Sequence, residues 1–553
     1  MSENHLSKHI LAQAKVLDGQ RAPWESLWQE LADVVHPRRG MISTKPAPFS
    51  TPDRSKIAEA FDGTAARANR TLAYGCFSRI TPMGARWFVC RPPAEMKADA
   101  DAISWYQRCS EILSAKLYAS NFYQRSNEHF LDRGAFGTAA TEVTGGHGGK
   151  GLHFRSFTIG SFSIAHNAND EVDTLFRLYN LTPKQIVEQF PDTAPAEIRK
   201  KAADASHCYQ PVPVRQAIYP RHDRDPRKRD GANKAYASVH ILPECGTILT
   251  EQGYDEFPCA VSRWELWGES PYGWAPSYLA LPEATQANFL EKMLDTLVEV
   301  AVFPRVLYGS GLKGNIDFAP LGLTCYDPIA GEAPREWMTQ GRYDVGKDRV
   351  REKRDAINEA FFVPLFNAIS QLDHDATATE VQSIVSESRE LFHPIFAGLS
   401  REMLIPLLRR SFSILLRQGE LPPPPASAIQ RDALGPFIGE PAVEFVSSMA
   451  MALEQSHLQS LGSVMGVLAP FGQADPSVFD FIDTDKVGPA LFRAKGLPEE
   501  FIRDAKSIAQ IRAGRQQAQQ MAQAEQASSA VKNVGGAEGI QKLAGLAKGQ
   551  PPG

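Results

Sequence analysis

Long apolar runs are missing from this 553-residue chain. The longest, Leu461 to Phe471, is far short of the roughly 18 to 20 residues that cross a bilayer, so no membrane span is expected. The first stretch, Met1 to Gln20, lacks the basic start, apolar centre and small-residue cleavage site of a signal peptide, and secretion is not expected either. Cysteine is scarce. The seven residues Cys76, Cys90, Cys109, Cys208, Cys245, Cys259 and Cys325 are odd in number, far apart and never arranged as C-x-x-C. That argues against a disulfide framework or a zinc site and for reduced, mostly buried thiols. Neither charge sign dominates: 59 basic residues against 64 acidic ones leave a net charge of -5. The total supports no general attraction to nucleic acid, and any DNA contact must be local.

The thirteen histidines show no H-E-x-x-H or comparable ligand spacing. Only His374, between Asp373 and Asp375, sits among carboxylates, and it reads as a solvated polar loop rather than a metal site. No catalytic constellation stands out, and no cofactor is expected. What is present is ordinary globular composition, with 43% hydrophobic and 22% charged residues in 60.8 kDa. That is enough chain for two to four domains, each with an apolar interior.

Along the chain, apolar spacing predicts a helix over Leu6 to Val35, ended by Pro37 to Gly40, and a second from Phe61 through Ile80, stopped by Thr81-Pro82. Trp24 and Trp28 read as core residues. Arg86 to Cys90 reads as a strand, followed by helices over Ala100 to Asn121 and Phe122 to Gly137. Ala139 to Tyr179 changes to short β-rich runs punctuated by glycine. Thr182 is the expected N-cap of another helix, with Pro183 at its first position. Val212 to Pro243 and Gly246 to Trp267 read as strands again, so the first 270 residues are mixed α+β.

Two long helical segments then flank a Gly- and Pro-rich insert. The first, Glu283 to Val302, repeats Phe289, Met293, Leu297 and Ala301 beside Leu290, Leu294 and Val298 on one face, and should start near Pro282. The second, Lys347 to about Ile369, places Val350, Ile357, Phe361 and Leu365 on a similar face; Pro364 predicts a kink or an early end. Such a hairpin with a module at its tip suits an oligomeric machine part better than an enzyme pocket. Further on, Thr377 and Glu380 have capping-box spacing ahead of a helical block that ends at Gly419 and Pro422 to Pro425, with breaks expected at Pro394 and Pro406. Val443 to Val446 reads as a strand, helices follow to about Arg515, and the Gln-, Ala- and Gly-rich remainder reads as a frayed helix and a disordered tail.

Several motifs resemble known chemistry without its context. Gly309-Ser310-Gly311-Leu312-Lys313-Gly314 matches G-x-G-x-x-G, but the extended stretch that follows ends in Pro320, where a dinucleotide site needs a helix to begin. Thr144 to Gly151 ends like a phosphate loop yet lacks its first glycine and its Ser or Thr. Gly268 to Gly273 misses the nucleophile elbow by one residue. Two basic clusters remain. Arg215, Arg221, Arg224, Arg227, Lys228 and Arg229 are diluted by Asp223, Asp225 and Asp230. Lys347, Arg349, Arg351, Lys353 and Arg354 alternate with Asp348, Glu352 and Asp355, an ordinary charged helix face in a monomer but a candidate channel lining in a ring.

Read together, several stretches resemble the head-to-tail connector, or portal, proteins of short-tailed bacteriophages. They are Phe61 to Ala68 running to Thr81-Pro82 and Trp87-Phe88; Arg263-Trp264-Glu265 with Tyr272-Gly273 and Pro276 to Leu281; Thr377 to Val381; Ile414 to Arg417 with Gly419 and Leu421 to Pro424; Val443 to Ser447; and Ile508 to Arg512. The resemblance spans about residues 5 to 515. It implies a ring-forming, mainly helical α+β fold without enzymatic activity, with a wing at 1–270, stem helices at 271–306 and 347–368, a clip at 307–346 and a tunnel loop at 369–376. Wing helices would follow at 377–440, a helical crown at 441–515 and a flexible tail at 516–553. It further implies a homo-oligomer, usually of twelve subunits, at a capsid vertex. Double-stranded DNA would pass through it without sequence preference, and terminase, tail adaptors, major capsid protein and scaffolding protein would be its partners. Assembly would take place in the host cytoplasm, with no membrane in the mature role.

On that footing Lys347, Arg349, Arg351, Lys353 and Arg354 are candidates for the DNA channel, with Lys347, Arg351 and Arg354 expected nearest the phosphates. Gln371, Asp373, His374 and Asp375 are candidates for the tunnel loop, and Lys313, Arg335 and Trp337 for docking at the clip. The alternative readings are a different virion tail or ejection component, and a nucleotide-binding enzyme built on the loop at 309–314.

Overall fold

The structure, a computed structural model, describes residues 3–37, 42, 59–96, 99–228, 230–302, 305–307, 335–337, 343–371, 392–432, 435–446 and a few helical positions between 508 and 521. The chain divides into two units, Met1–Leu453 and Glu454–Gly553. Of the described residues, the second unit holds only those scattered helical positions, and every other element belongs to the first.

The first helix, α1 (Glu3–Val34), runs through Pro23. Its early turns put Ile10 and Ala14 on a sheet, and its later turns put Trp28, Leu31 and Ala32 into the main core. The sheet is five-stranded and antiparallel, in the order β4 (Phe162–His166), β5 (Val172–Leu181), β6 (Val212–Pro220), β7 (Tyr236–Leu242) and β8 (Thr247–Tyr254). Alternation along β7 explains why both faces are covered. Ala237, Val239 and Ile241 point to α1, whereas Leu242 packs with Ile186 and Ile198 of two short helices, α5 (Pro183–Gln189) and α6 (Ala196–Ala203). The start of α5 is fixed locally: the Thr182 hydroxyl accepts from the Gln185 amide, and the Gln185 side chain accepts from the Thr182 amide. This is a capping box with Pro183 at the first helical position.

The main core gathers α2 (Thr64–Ile80), α3 (Ala100–Ala119) and α4 (Phe122–Phe136) around a three-stranded sheet of β3 (Leu152–Phe157), β2 (Thr138–Gly145) and β9 (Cys259–Arg263). Two smaller antiparallel pairs join β10 (Glu265–Leu266) to β11 (Gly273–Trp274) and β14 (Ile429–Asp432) to β15 (Gly435–Ile438). Strand β1 (Phe88–Arg91) pairs with β16 (Ala442–Phe445), which brings the end of the unit back to its beginning. Gly137 shows how tightly the three-stranded sheet meets its neighbour. Its φ is +75°, and a Cβ there would lie 2.3 Å from the Gly273 carbonyl oxygen, so only glycine fits.

The helical hairpin differs from the sequence reading at the start of each helix, the second beginning at Tyr343 rather than Lys347. Helix α7 begins at Pro276, not near Pro282, and runs to Val302 with Pro282 inside it. Tertiary contacts carry the first turns across that proline. The Ser277 hydroxyl donates to the Ala135 carbonyl at 2.5 Å, and the Tyr278 hydroxyl accepts from Trp28 Nε1 at 3.0 Å. The second segment is divided, as Pro364 suggested: α8 (Tyr343–Ala360) ends, Phe362 takes a left-handed φ of +55°, and α9 (Val363–Gln371) restarts with Pro364 at its second position. Helix α9 seats closely on α2, where a Cβ on Gly75 would fall 2.2 Å from the Phe366 ring. Beyond it, residues 392–399 are helical, Ser400–Leu404 form a π turn and α10 (Ile405–Arg417) follows. Gly419, at φ +70°, closes that helix.

Between the two hairpin helices only two short strands are described, β12 (Arg305–Leu307) and β13 (Arg335–Trp337), paired antiparallel with Arg305 opposite Trp337. The capping box at Thr377, the glycine loop at 309–314 and the helices expected over 447–507 lie outside the described residues.

Candidate functional site

Helices α7 and α8 pack antiparallel, with Gly346 against Leu294 and Lys353 reaching Glu283. On α8 the buried positions are Val350, Lys353 and Ile357, at helical spacing. Opposite them stand Asp344, Asp348, Glu352, Asp355 and Glu359, all exposed and all acidic. The outer face of α8 is therefore a carboxylate stripe, with basic residues at its flanks. The sequence pattern of mixed charge did not separate these faces; the burial of Val350 and Ile357 does.

The five basic candidates consequently fall into two groups. Lys347, Arg349 and Arg351 are exposed, Arg349 in a 2.6 Å ion pair with Glu352. Lys353 and Arg354 instead bind carboxylates of their own subunit. Lys353 is buried and lies 2.6 Å from Glu283. Arg354 bridges Asp62, at 2.7 Å, and Glu291. Asp62 also accepts from the Thr64 amide at 2.6 Å, and its own amide donates to Asn288 at 3.0 Å. Burial alone would raise the Asp62 pKa, but the Thr64 and Arg354 donors outweigh it and hold the carboxyl below its ordinary range. Arg354 thus ties the start of α2 to both hairpin helices. Asp62 was missed because its partner lies 292 positions away.

Arg335 and Trp337 lie on β13, while Lys313 and the tunnel-loop candidates Asp373, His374 and Asp375 fall outside the described residues. Gln371 is the last residue of α9. The structure thus describes no geometry that joins the clip or tunnel-loop candidates into a site.

The earlier basic cluster divides: Arg224, Arg227 and Lys228 are exposed, whereas its first two members make fold contacts. Arg215 pairs with Asp18 at 2.7 Å and Arg221 with Glu251 at 2.8 Å. The phosphate-loop lookalike at 144–151 is the hairpin turn from β2 to β3, so a strand follows where a nucleotide site needs a helix. Gly268 to Gly273 likewise runs through the connection after β10 into the first residue of its partner strand β11. A cleft of about 1080 Å³ beside β9 and α10 has charged walls, but its groups are paired across it: Arg263 with Glu402, Arg410 with Glu256, Arg409 with Glu440 and Arg401 with Glu171. Among the described residues there is no cluster of three or more His, Cys, Asp or Glu placed to hold a metal ion, and no helix long and apolar enough to cross a membrane.

A family model described as bacteriophage head to tail connecting protein matches residues 7–502. The portal protein of Salmonella phage epsilon15 is 28% identical over 528 residues, covering 94% of this chain and 92% of that protein. A probable portal protein of Bordetella phage BPP-1 is 28% identical over 534 residues, covering 95% and 93%. Among solved structures, a chain from the virion of the native gene transfer agent particle aligns with 77% of this chain and 92% of its own length, at 11% identity and a TM-score of 0.31.

Proposed function

The chain belongs to the bacteriophage head to tail connecting protein family, and from that premise we propose that it is the portal of a short-tailed phage. Copies of the subunit, twelve in the expected form, make a ring at one capsid vertex. Double-stranded DNA enters through the ring during packaging and leaves through it during ejection. Terminase docks on the ring first and tail adaptors take its place, while capsid and scaffolding proteins surround it. The role is structural rather than enzymatic, beginning in the host cytoplasm and ending in the virion. The observation that carries this reading is the family match across residues 7–502, reinforced by two portal relatives that align over nearly the whole chain.

In this reading 271–306 and 347–368 are the stem helices, 307–346 the clip and 369–376 the tunnel loop. Residues 1–270 and 377–440 form the wing, 441–515 the crown and 516–553 a flexible tail. The 18 residues of α8 at about 1.5 Å each make a rod of roughly 27 Å, suited to a channel wall. DNA carries one negative charge per about 1.7 Å, so a strongly basic wall would hold it fast. A wall that alternates carboxylates with Lys347 and Arg351 keeps contacts weak and indifferent to sequence, as a moving duplex requires. With Arg354 and Lys353 engaged inside the subunit, Lys347, Arg349 and Arg351 are the cations of α8 left to meet phosphates.

The test is genetic. A phage deprived of this protein should accumulate heads without DNA, and those heads should fill when the intact gene is supplied in trans. DNA-filled heads in its absence would refute the reading.

A further inference from the structure

The hairpin carries a second surface that the described residues of its own subunit leave uncovered. On α7, Leu279, Pro282, Gln286, Phe289, Met293 and Thr296 are all exposed. Their spacing alternates three and four residues, the seam pattern by which one helix receives another. Leu279 is 66% exposed, Phe289 59% and Met293 43%. No charged residue interrupts the seam. The sequence pattern had grouped Phe289 and Met293 with Leu290 and Leu294 as one packed face, but the fold covers only part of it: Leu290 and Leu294 are half-buried, and the seam beside them is exposed.

A matching surface lies on α2. That helix holds Arg67, Arg70 and Arg79 and not one acidic residue. It packs inward through Ala65, Ala68, Leu72 and Cys76, while Arg67 and Tyr74 are exposed and Arg70 is half-buried. These three follow one another at helical spacing on the outward face. Its charge complements the outward acids of α8, and Tyr74, 50% exposed, complements the apolar seam. Asp62 at the start of α2 is bound to Arg354 and Asn288 of the hairpin, and α2 turns its buried side, not its Arg67 side, toward the core.

We infer that in the assembled protein the α7 seam and the neighbouring acidic edge of α8 on one copy receive the Arg67, Arg70 and Tyr74 face of α2 on the next copy. The inference rests on the ring reading above and gives it a specific joint. Such a contact is heterologous, with two different surfaces of one chain joined head to tail, which is how a closed ring is built. An uncharged seam of large apolar side chains suits a permanent partner and is the wrong chemistry for DNA phosphates.

Mass measurement in solution, by light scattering after size exclusion, tests it with two variants. F289K/M293K places cations on the seam, and R67A/R70A/Y74A strips the α2 face of its side chains. Each alone should fall from the ring mass to the 60.8 kDa of one subunit while keeping the helical circular dichroism of the wild type. Mixed in equal amounts, the two should form pairs and nothing larger, because the first retains its α2 face, the second retains its seam, and the other two surfaces are spoiled. Should F289K/M293K fail to fold, Q286K/T296K places the same charge on exposed polar positions of the seam and should give the same result. Variants that still form rings alongside wild-type rings would overturn the joint and leave the ring reading intact. Folded single-subunit variants that do not pair on mixing would also overturn it. A wild type that stays at one subunit would overturn the ring reading itself.

Discussion

Of the five basic residues on α8, two hold the subunit together and three do not, and that division is open to measurement. Arg354→Gln leaves Asp62, whose side chain is 2% exposed, with its bond from the Thr64 amide but without its cation. A hydrogen bond to a charged group contributes about 1.5–3 kcal/mol. The Arg354 side chain is itself 41% exposed, and solvent screening moves the expected loss toward the lower end, roughly 1.5–2 kcal/mol. Lys353→Met abandons Glu283, whose side chain is 32% exposed, and should cost about 1–2 kcal/mol because the carboxylate can partly regain water. Lys347→Gln, Arg349→Gln and Arg351→Gln change exposed positions and should stay within about 0.5 kcal/mol. Urea unfolding at one fixed protein concentration, followed by circular dichroism, ranks the five. DNA retention in heads assembled from each variant should rank them in a different order, with the three exposed positions mattering most. If Lys347→Gln destabilised as much as Arg354→Gln, or if all five were silent, the separation into inward and outward cations would be wrong.

Gly137→Ala should destabilise by more than about 2 kcal/mol, since the new methyl would meet the Gly273 carbonyl at a positive φ; a thermal melt within a degree of the wild type would contradict this. Tyr278→Phe removes the hydroxyl that accepts from buried Trp28 and donates to the Phe136 carbonyl, for an expected loss of about 1–3 kcal/mol by urea titration. His129 is buried between the Thr141 and Ser262 hydroxyls at 2.8 and 2.6 Å. Burial, and then the nearby Arg133 charge, lowers its pKa from 6.5 to about 3. The folded protein therefore keeps this imidazole neutral while the unfolded chain takes up a proton below pH 6.5. Its stabilising effect is complete above that pH and declines as pH falls toward 3, by up to about 1.4 kcal/mol per unit. His129→Gln should flatten the dependence of stability on pH between 6 and 4, and an unchanged slope would count against it.

Local chemistry was the legible part of the chain. The Thr182 cap, the break ahead of Pro364, the closure at Gly419 and the glycine-punctuated strands of the first 270 residues depend on neighbours a few positions apart, and short-range rules reach that far. Pro282 misled because the bonds that carry α7 across it come from Ala135 and Trp28, more than a hundred residues earlier. The same distance hid Asp62 from Arg354. On α8 the charges were visible, but which of them point outward depends on what Val350 and Ile357 pack against, and a charge pattern alone does not specify that. The family resemblance was legible because its motifs keep their order along nearly the whole chain, even though each is short. The apolar seam of α7 shows the opposite limit: its residues are those of a core, and only the packed subunit reveals that they stand exposed.

The central claim is that this chain acts as a closed ring with an open centre. Electron microscopy of the purified protein, viewed down the symmetry axis, measures that directly. The account predicts closed rings of identical subunits around a central hole wide enough for a DNA duplex of roughly 20 Å, with twelve copies in the expected form. Single subunits, open filaments or rings with no passage at the centre would contradict it.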